Sequence, residues 1–537
     1  MKTRILSILI ITALLLSLCG CRSGEGATLN FAVAASPSSL DPQYAGADAA
    51  TVINNCFEGL VRLDANGNVI NGVAESYTVS EDALTYTFTL RDDVEWYVAE
   101  SFESILGEEA FKDFDNRVTA HDFVFGFTRA VLPGSTSQNA GQMYVVKNAR
   151  AVHNGTASLD MLGVKAVDER TLVITLEKAY PEFLEILTMP VFMPCNEQFF
   201  NACAGRYGLN VKNVMCNGPF HLTLWDPESH ITLVQSKNYS GENSVSPEMV
   251  KIYFDPVSAD VVSKIRNGVY DAAFLPYGHS IAQDSSYTVS EIRNSVAGFC
   301  FNPNDSALSN DSIRTALACS VNRNNQAFSA VGLDKYNRLV APCCTAGGTS
   351  LHTAQTNEPD LPEFNRVRAA ELWETGLSEL ETSGINLTLI CGEEFATAMK
   401  AQLQIWQHLF GVQLSITVET VSADTLEKRI ATGTYSVAFA PVTANSSLAS
   451  TFLGNVTDKL NCNSEKYAPL LTALADATDS VTLRNACIAA EEQILSDGIF
   501  VPVFLVSSSF ICAKDVADIT CGASGDNVSF IFAKRFG

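Results

Sequence analysis

Short apolar runs bounded by turn-forming residues alternate along this chain with stretches of helical period. Leu29 to Ala35 reads as an apolar strand, and the turn-rich Ser36-Pro37-Ser38-Ser39-Leu40-Asp41-Pro42 follows it. Ala49 to Leu60 has the pattern of a helix ending near Gly59. Asp64-Ala65-Asn66-Gly67-Asn68 predicts a hairpin, because Asn-Gly supplies the positive φ angles of a tight turn. Tyr86-Thr87-Phe88-Thr89-Leu90 alternates as a half-buried strand does. Thr119 with Asp122 forms a capping-box variant that opens a helix through Phe123, Phe127 and Val131.

The middle and end keep this mixture. Leu172 to Leu176, His221 to Trp225, Ile231 to Val234 and Val250 to Phe254 are strand candidates, and Asp260 to Asn267 is a helix leading into Tyr270 to Phe274. Leu387 to Cys391, the helix around Ala396 to Phe410, and Gln413 to Val418 make one β-α-β unit. Glu427 to Thr432 followed by Tyr435 to Ala440 repeats the earlier step: a helix ends in Asn-Gly or Thr-Gly and a Tyr-led apolar strand follows. Leu483 to Leu495 is amphipathic, with Leu483, Cys487, Ala490 and Ile494 three or four apart. Such alternation predicts an α/β fold of mixed β-sheets rather than a bundle or a barrel.

The first residues read as targeting. Lys2 and Arg4 precede an apolar run, Ile5 to Leu16, broken only by Ser7 and Thr12. That run falls short of the ~20 residues of a spanning helix and suits a secretory signal peptide. It ends in Leu18-Cys19-Gly20-Cys21, which resembles the bacterial lipobox; cleavage of residues 1–20 would leave Cys21 to carry a diacylglyceryl group, with 21–28 as a tether. No later stretch approaches ~18 uninterrupted apolar residues. The 517 residues left exceed what one core serves, so two or three domains are expected.

Charge excludes one partner class: 59 Asp and Glu against 35 Lys and Arg would repel nucleic acid. Of 15 cysteines, Cys19 leaves with the signal and Cys21 takes the lipid. The 13 that remain are an odd number with no C-x-x-C and no zinc spacing. Cys300, Cys319, Cys487 and Cys512 sit in apolar runs, as buried reduced thiols do; the spacing leaves room for one or two disulfides, such as Cys195 with Cys203 or Cys216. No catalytic motif, metal cluster or cofactor loop occurs, the seven His are isolated, and Glu108-Glu109, Glu393-Glu394 and Glu491-Glu492 are adjacent and so point apart on a helix.

An ordered set of segments resembles the extracellular solute-binding proteins (family 5) that serve peptide, nickel and related ABC importers. These are residues 36–42, 55–76, 82–96 and 118–130, then Asn217-Gly218-Pro219-Phe220, then Phe301-Asn302 through Asp311, Arg314, Ala316 and Leu317. Asn322-Arg323 stands where the family has Asp-Arg, and Glu491 to Leu495 with Val501-Pro502-Val503 closes the set. The resemblance implies a two-lobed fold of the periplasmic-binding-protein type (class II, cluster C) with three domains. Residues 29–57, 193–293 and 503–537 would form domain I, 58–192 domain II, and 294–502 domain III, the second lobe. It implies a monomer without cofactor or catalysis, anchored to the cell membrane through Cys21 and facing the extracellular side or periplasm. Such a protein would capture a solute, an oligopeptide above all, and hand it to a permease with ATPase subunits. Peptide binders of the family carry a Trp and an amine-pairing Asp where this chain has Val442 and Asn445. Asn55, Cys56 and Phe57 from domain I, and Phe299, Phe301 and Asn302 at the crossing into domain III, are the other expected contacts. A nickel chelate, an opine-like compound or a sugar as ligand, a surface sensor of the same fold, and a peptide hydrolase are the rival readings.

Overall fold

A computed structural model describes residues 28–241, 245–255, 259–275, 281, 284–351, 361–462, 464–522, 525 and 528–536. The signal segment, Cys21 and the tether up to residue 27 lie outside them.

The chain opens with β1 (Thr28–Val33). The helix that follows, Ala50–Cys56, stops earlier than its apolar pattern predicts: Phe57 is extended, and the Glu58 amide is drawn to the Asn217 side chain at 3.1 Å. The expected hairpin is β2 (Val61–Leu63) with β3 (Val69–Asn71), its turn held by Asp64, which accepts the Asn66 and Asn68 amides. A small antiparallel sheet contains β4 (Ala74–Val79), β5 (Thr85–Leu90), β6 (Val164–Ala166) and β7 (Thr171–Thr175) in the order β4-β5-β7-β6. In β5 the residues Tyr86, Phe88 and Leu90 are buried, as the alternation requires. The capping box forms at the helix Ala120–Ala130, which buries Phe123, Phe127 and Ala130.

The remaining strands build the large sheet. They are β8 (Phe220–Asp226), β9 (His230–Gln235), β10 (Met249–Phe254), β11 (Ala272–Leu275) and the long β12 (Tyr287–Phe301). After a two-residue hairpin of β13 (Thr345–Ala346) and β14 (Thr349–Ser350) come β15 (Ile385–Cys391), β16 (Leu414–Thr420), β17 (Val437–Thr443) and the long β18 (Phe500–Ala513). Among the described residues ten strands join in the order β16-β15-β17-β12-β18-β11-β1-β10-β9-β8.

The order conceals a repeat. β1 lies between parallel β10 and β11, with Phe31 opposite Ile252 and Ala272. β15 lies between parallel β16 and β17, with Leu389 opposite Val418 and Val437. Each triplet is then closed by an antiparallel crossover strand, β18 on β11 and β12 on β17. The doubled helix-to-strand step in the sequence is the same joint in each half: Gly268 (φ +70°) follows the helix Ala259–Arg266, and Gly433 (φ +65°) follows the helix Ala423–Ala431. A left-handed residue at this place ends a helix and turns the chain back to the sheet, which glycine does without a Cβ penalty.

The buried apolar residues divide where the repeat does. One cluster runs from Leu29 to Ile292 and takes in Phe510 to Ala533. Two others cover opposite faces of the second triplet. Val296 and Cys300 belong to one face with Ala438, Ala440 and Val442, while Phe299 and Phe301 belong to the other with Val437 and Phe439.

Several segments singled out in the sequence brace one another inside the first lobe. Arg129 is buried and reaches Asp41 through both terminal nitrogens, at 3.2 and 2.5 Å, and Gln43 Oε1 at 2.7 Å, with the Phe200 ring 3.9 Å away. Asn217 exchanges two hydrogen bonds with the Glu58 backbone. Arg129→Ala strands the Asp41 carboxylate in an apolar setting. Urea titration is expected to show a loss of about 3–5 kcal/mol, whereas replacing Asp41 and Arg129 together by apolar residues of similar volume costs less.

Candidate functional site

The two lobes are joined at a floor and meet again at a clasp. The floor is where β12 and β18 cross from one lobe to the other. Their ladder runs from Tyr287–Ala513 to Ile292–Ser508, is interrupted, and resumes at Ser295–Val506. Backbone groups freed by such an interruption need partners. Ala444 donates its amide to the Asn294 carbonyl at 2.7 Å, and Ser508 Oγ donates to Asn294 Oδ1 at 3.1 Å. Ser295 Oγ reaches Thr443 Oγ1 at 2.8 Å. Asn294, Ser295 and Ser508 are buried, whereas Thr443 is exposed.

The clasp joins the segment before the helix Phe183–Ile186 to the second lobe. Glu182 is wholly buried; its two carboxylate oxygens accept the Gly347 amide at 3.2 Å and the Ser450 hydroxyl at 2.6 Å. Lys178 pairs with Asp476 at the rim, and Leu448 of the second lobe packs into the first lobe's core. Among the described residues no cation pairs with Glu182, and burial raises its pKa above the ordinary 4.5, against the pull of Ser450 and Gly347. Its neighbours feel the carboxylate's charge and stay neutral. Tyr180 is pushed up by burial and then by Glu182, and Cys487 to about 12 by burial and then by the same carboxylate. Glu185 adds a second acidic group.

Each lobe also carries a hollow. One, of about 120 Å³, lies in the second lobe against Val442, Thr443, Asn445, Ser446 and Asn455, with the Glu427–Lys459 ion pair (3.2 Å) beside it. The other, about 220 Å³, lies in the first lobe between Phe57, the β2–β3 hairpin and residues 520–522. Among the described residues no group of three or more His, Cys, Asp or Glu is placed to hold a metal, and no helix is long and apolar enough to cross a membrane. His221, buried and stacked 3.5 Å from Tyr97, has its pKa held down to about 4 by burial. Glu491 accepts the Leu339 and Val340 amides at 2.9 and 2.8 Å.

Residues 68–463 match the family model of the bacterial extracellular solute-binding proteins, family 5. The chain belongs to that family. The oligopeptide-binding protein OppA of Bacillus subtilis is 28% identical over 450 residues, covering 78% of this chain and 77% of that protein. A dipeptide-binding protein of Lactococcus lactis subsp. cremoris is 24% identical over 434 residues, 76% of this chain and 75% of that one. The structure of Listeria monocytogenes OppA bound to peptide superposes with a TM-score of 0.70 at 21% identity, covering 95% of this chain and 99% of that chain. The fold is thus the two-lobed one of these binding proteins.

In this solute-binding protein the contacts expected from the sequence scatter. Val442 and Asn445 are brought together at the second-lobe hollow, Asn445 exposed and Val442 largely in the core. Phe57 lines the first-lobe hollow. Asn55 is spent on structure: its amide donates to the Thr51 and Val528 carbonyls, both 2.7 Å, and accepts the Phe530 amide. Cys56 is buried against the Cys216 thiol. Phe299 and Phe301 pack with Trp406, and Phe299 with Phe439, on the face away from Val442. Asn302 donates to the Gly433 and Tyr435 carbonyls. Cys195, Cys203 and Cys216 are free thiols, and Cys195 faces Arg129 rather than either of the others.

Sequence reasoning missed the clasp: Glu182 has no local motif, and Ser450 is 268 residues away. Lobes that part and close across this clasp would do so pH-dependently. Opening returns Glu182 to water and an ordinary pKa, so the closed form holds the proton more tightly. Closure is therefore expected to strengthen as pH falls from neutral towards the carboxylate range and to level off below 4.5, where both forms are protonated. Glu182→Gln keeps an acceptor for Gly347 and removes the charge. Small-angle scattering across pH is expected to show more closed protein at neutral pH and a flat profile.

Proposed function

We propose that this protein is the substrate-binding lipoprotein of an ABC importer, capturing oligopeptides between its lobes and delivering them to a membrane permease served by ATPases. The observation that carries the reading is the pairing of one polar crossing with one clasp. Two lobes share β12 and β18 at the floor and touch again through Glu182, an arrangement suited to enclosing a solute by hinge closure. The named substrates of the B. subtilis and L. lactis relatives, oligopeptides and dipeptides, supply the ligand class. Residues 29–57, 193–293 and 503–537 would act as domain I, 58–192 as domain II and 294–502 as domain III. Cys21 would carry the lipid and hold a monomer at the outer face of the cell membrane. The site needs no nucleophile: binding and release of a solute ask for hydrogen-bonding groups, apolar hollows and a hinge.

Asn445 sets the character of the ligand end. It sits exposed at the hollow beside Thr443, so it offers an amide where a carboxylate would pair with a peptide ammonium. An amide still accepts a hydrogen bond from the ammonium, with about half the strength of a charge-assisted one. That same amide is the ground for a second reading, a solute without a free amine, such as a blocked or cyclic peptide or a non-peptide compound. Asn445→Asp is expected to tighten binding of free-amine peptides roughly fivefold to tenfold by calorimetry. Unchanged affinity removes residue 445 from the site.

Native mass spectrometry of the lipid-free protein, purified without denaturation, tests the function as a whole. A ladder of added masses that fragment as peptides is the expected result. One discrete non-peptide mass keeps the binding role and overturns the substrate.

A further inference from the structure

The hairpin that supplies Gly347 to the clasp is preceded by two adjacent cysteines. Cys343 and Cys344 hold their sulfurs 3.9 Å apart, and Cys344 Sγ lies 3.9 Å from the Ser446 carbonyl. Cys344 is fully buried, whereas Cys343 is half-buried and so reachable. The other thiol pair, Cys56 with Cys216, is sealed in the core. The next residue, Thr345, donates its amide to the Ser447 carbonyl at 2.6 Å, and two residues later the Gly347 amide reaches Glu182. Gly347 sits so close to Ser480 that it has no room for a Cβ, which pins the hairpin to the start of the helix Ser480–Ser496. A change in the backbone at 343–344 is therefore passed to the clasp over three residues.

A disulfide between chain neighbours forces such a change. Cα atoms joined by a trans peptide are about 3.8 Å apart, while disulfides usually span about 4.4–6.8 Å between Cα atoms. Closing the ring twists the intervening peptide and redirects the Cys344 carbonyl and the Thr345 amide. Strain of this kind also makes a disulfide easy to reduce, the property of a reversible bond rather than a structural one.

We propose that Cys343 and Cys344 form a thiol–disulfide modification site, oxidised by a low-molecular-weight disulfide, whose closure releases the clasp and weakens solute capture. In the first step the Cys343 thiolate attacks one sulfur of R–S–S–R, giving a mixed disulfide and one thiolate that takes up a proton. The Cys344 sulfur then attacks that of Cys343 and expels the second thiol, which leaves with the Cys344 proton. Two protein thiols are oxidised by two electrons, and one disulfide is reduced to two thiols. The effect on capture rests on the binding role proposed above; the formation of the bond does not.

The purified, folded protein is incubated with oxidised glutathione, then examined by peptide mapping, amide hydrogen exchange and calorimetry with a peptide ligand. The expected result is loss of two hydrogens within the peptide carrying Cys343 and Cys344, faster exchange at Thr345 and Gly347, and peptide affinity lowered roughly tenfold, the equivalent of about 1.4 kcal/mol from lost clasp hydrogen bonds. Dithiothreitol reverses all three, and Cys343→Ser and Cys344→Ser each abolish them. A stable glutathione adduct on Cys343 alone, or a 343–344 bond that leaves exchange and affinity unchanged, overturns the proposal. A bond with faster exchange in a protein that binds no peptide in either state upholds the switch and counts against the peptide reading.

Discussion

The antiparallel pairing of β12 with β18 is the interaction on which the rest depends. Each strand belongs to both lobes, so one ladder in the middle of the ten-strand order joins the two triplets. Away from the joint, β12 is locked by β17 and β18 by β11, which fixes each lobe separately. Between Ile292 and Ser295 the ladder lapses, and side chains replace it: Ser508 on Asn294, Thr443 beside Ser295. Side-chain hydrogen bonds between rotatable groups exchange partners more cheaply than a continuous ladder breaks. A hinge between the two triplets would use such a place, a few element-terminal residues flanked by intact ladders.

A joint of this kind is useful only if the open and closed forms are close in free energy, since a solute shifts a balance by no more than its differential affinity. The clasp meets that condition through chemistry that partly cancels. Leu448 gains from burial in the first lobe, and Glu182 gains two hydrogen bonds, but the carboxylate gives up its hydration without a cation among those partners. A closed form held only by apolar contacts would stay shut without cargo. The buried carboxylate lowers the stability of the empty closed form and leaves the solute to supply the difference.

What could be read from the sequence was whatever local periodicity or turn chemistry encodes. The β-α-β unit with its helix Ala396–Phe410, the capping box at Thr119 and Asp122, and the twice-used helix–glycine–strand joint all depend on neighbours within a few residues. The helix after Ala49 was overextended because a distant residue, Asn217, claims the Glu58 amide. The same distance explains the site. Asn55 looks like an exposed polar contact until its partner Val528, 473 positions away, is in view. Phe299 and Phe301 are two apart on a strand, so they share a face, but alternation alone does not say that this face meets Trp406 rather than the hollow at Val442.

The segments that make the family recognisable turn out to be braces. Asp41 with Arg129, Asp122 with Thr119 and Trp96, and Asn217 with Glu58 hold the first lobe together, and none lines the second-lobe hollow. Residues that keep a scaffold in register are satisfied by other parts of the chain and have little freedom to vary. Asn445, at the hollow, faces solvent instead. That division explains how a chain can keep the ordered signature and still put an amide where a carboxylate would serve. The loss is local, because the net charge of −24 remains to attract cationic ends at long range. The field of the whole molecule favours encounter with an amine-bearing solute. Under the proposed role, the contact at residue 445 would then set how firmly that amine is held.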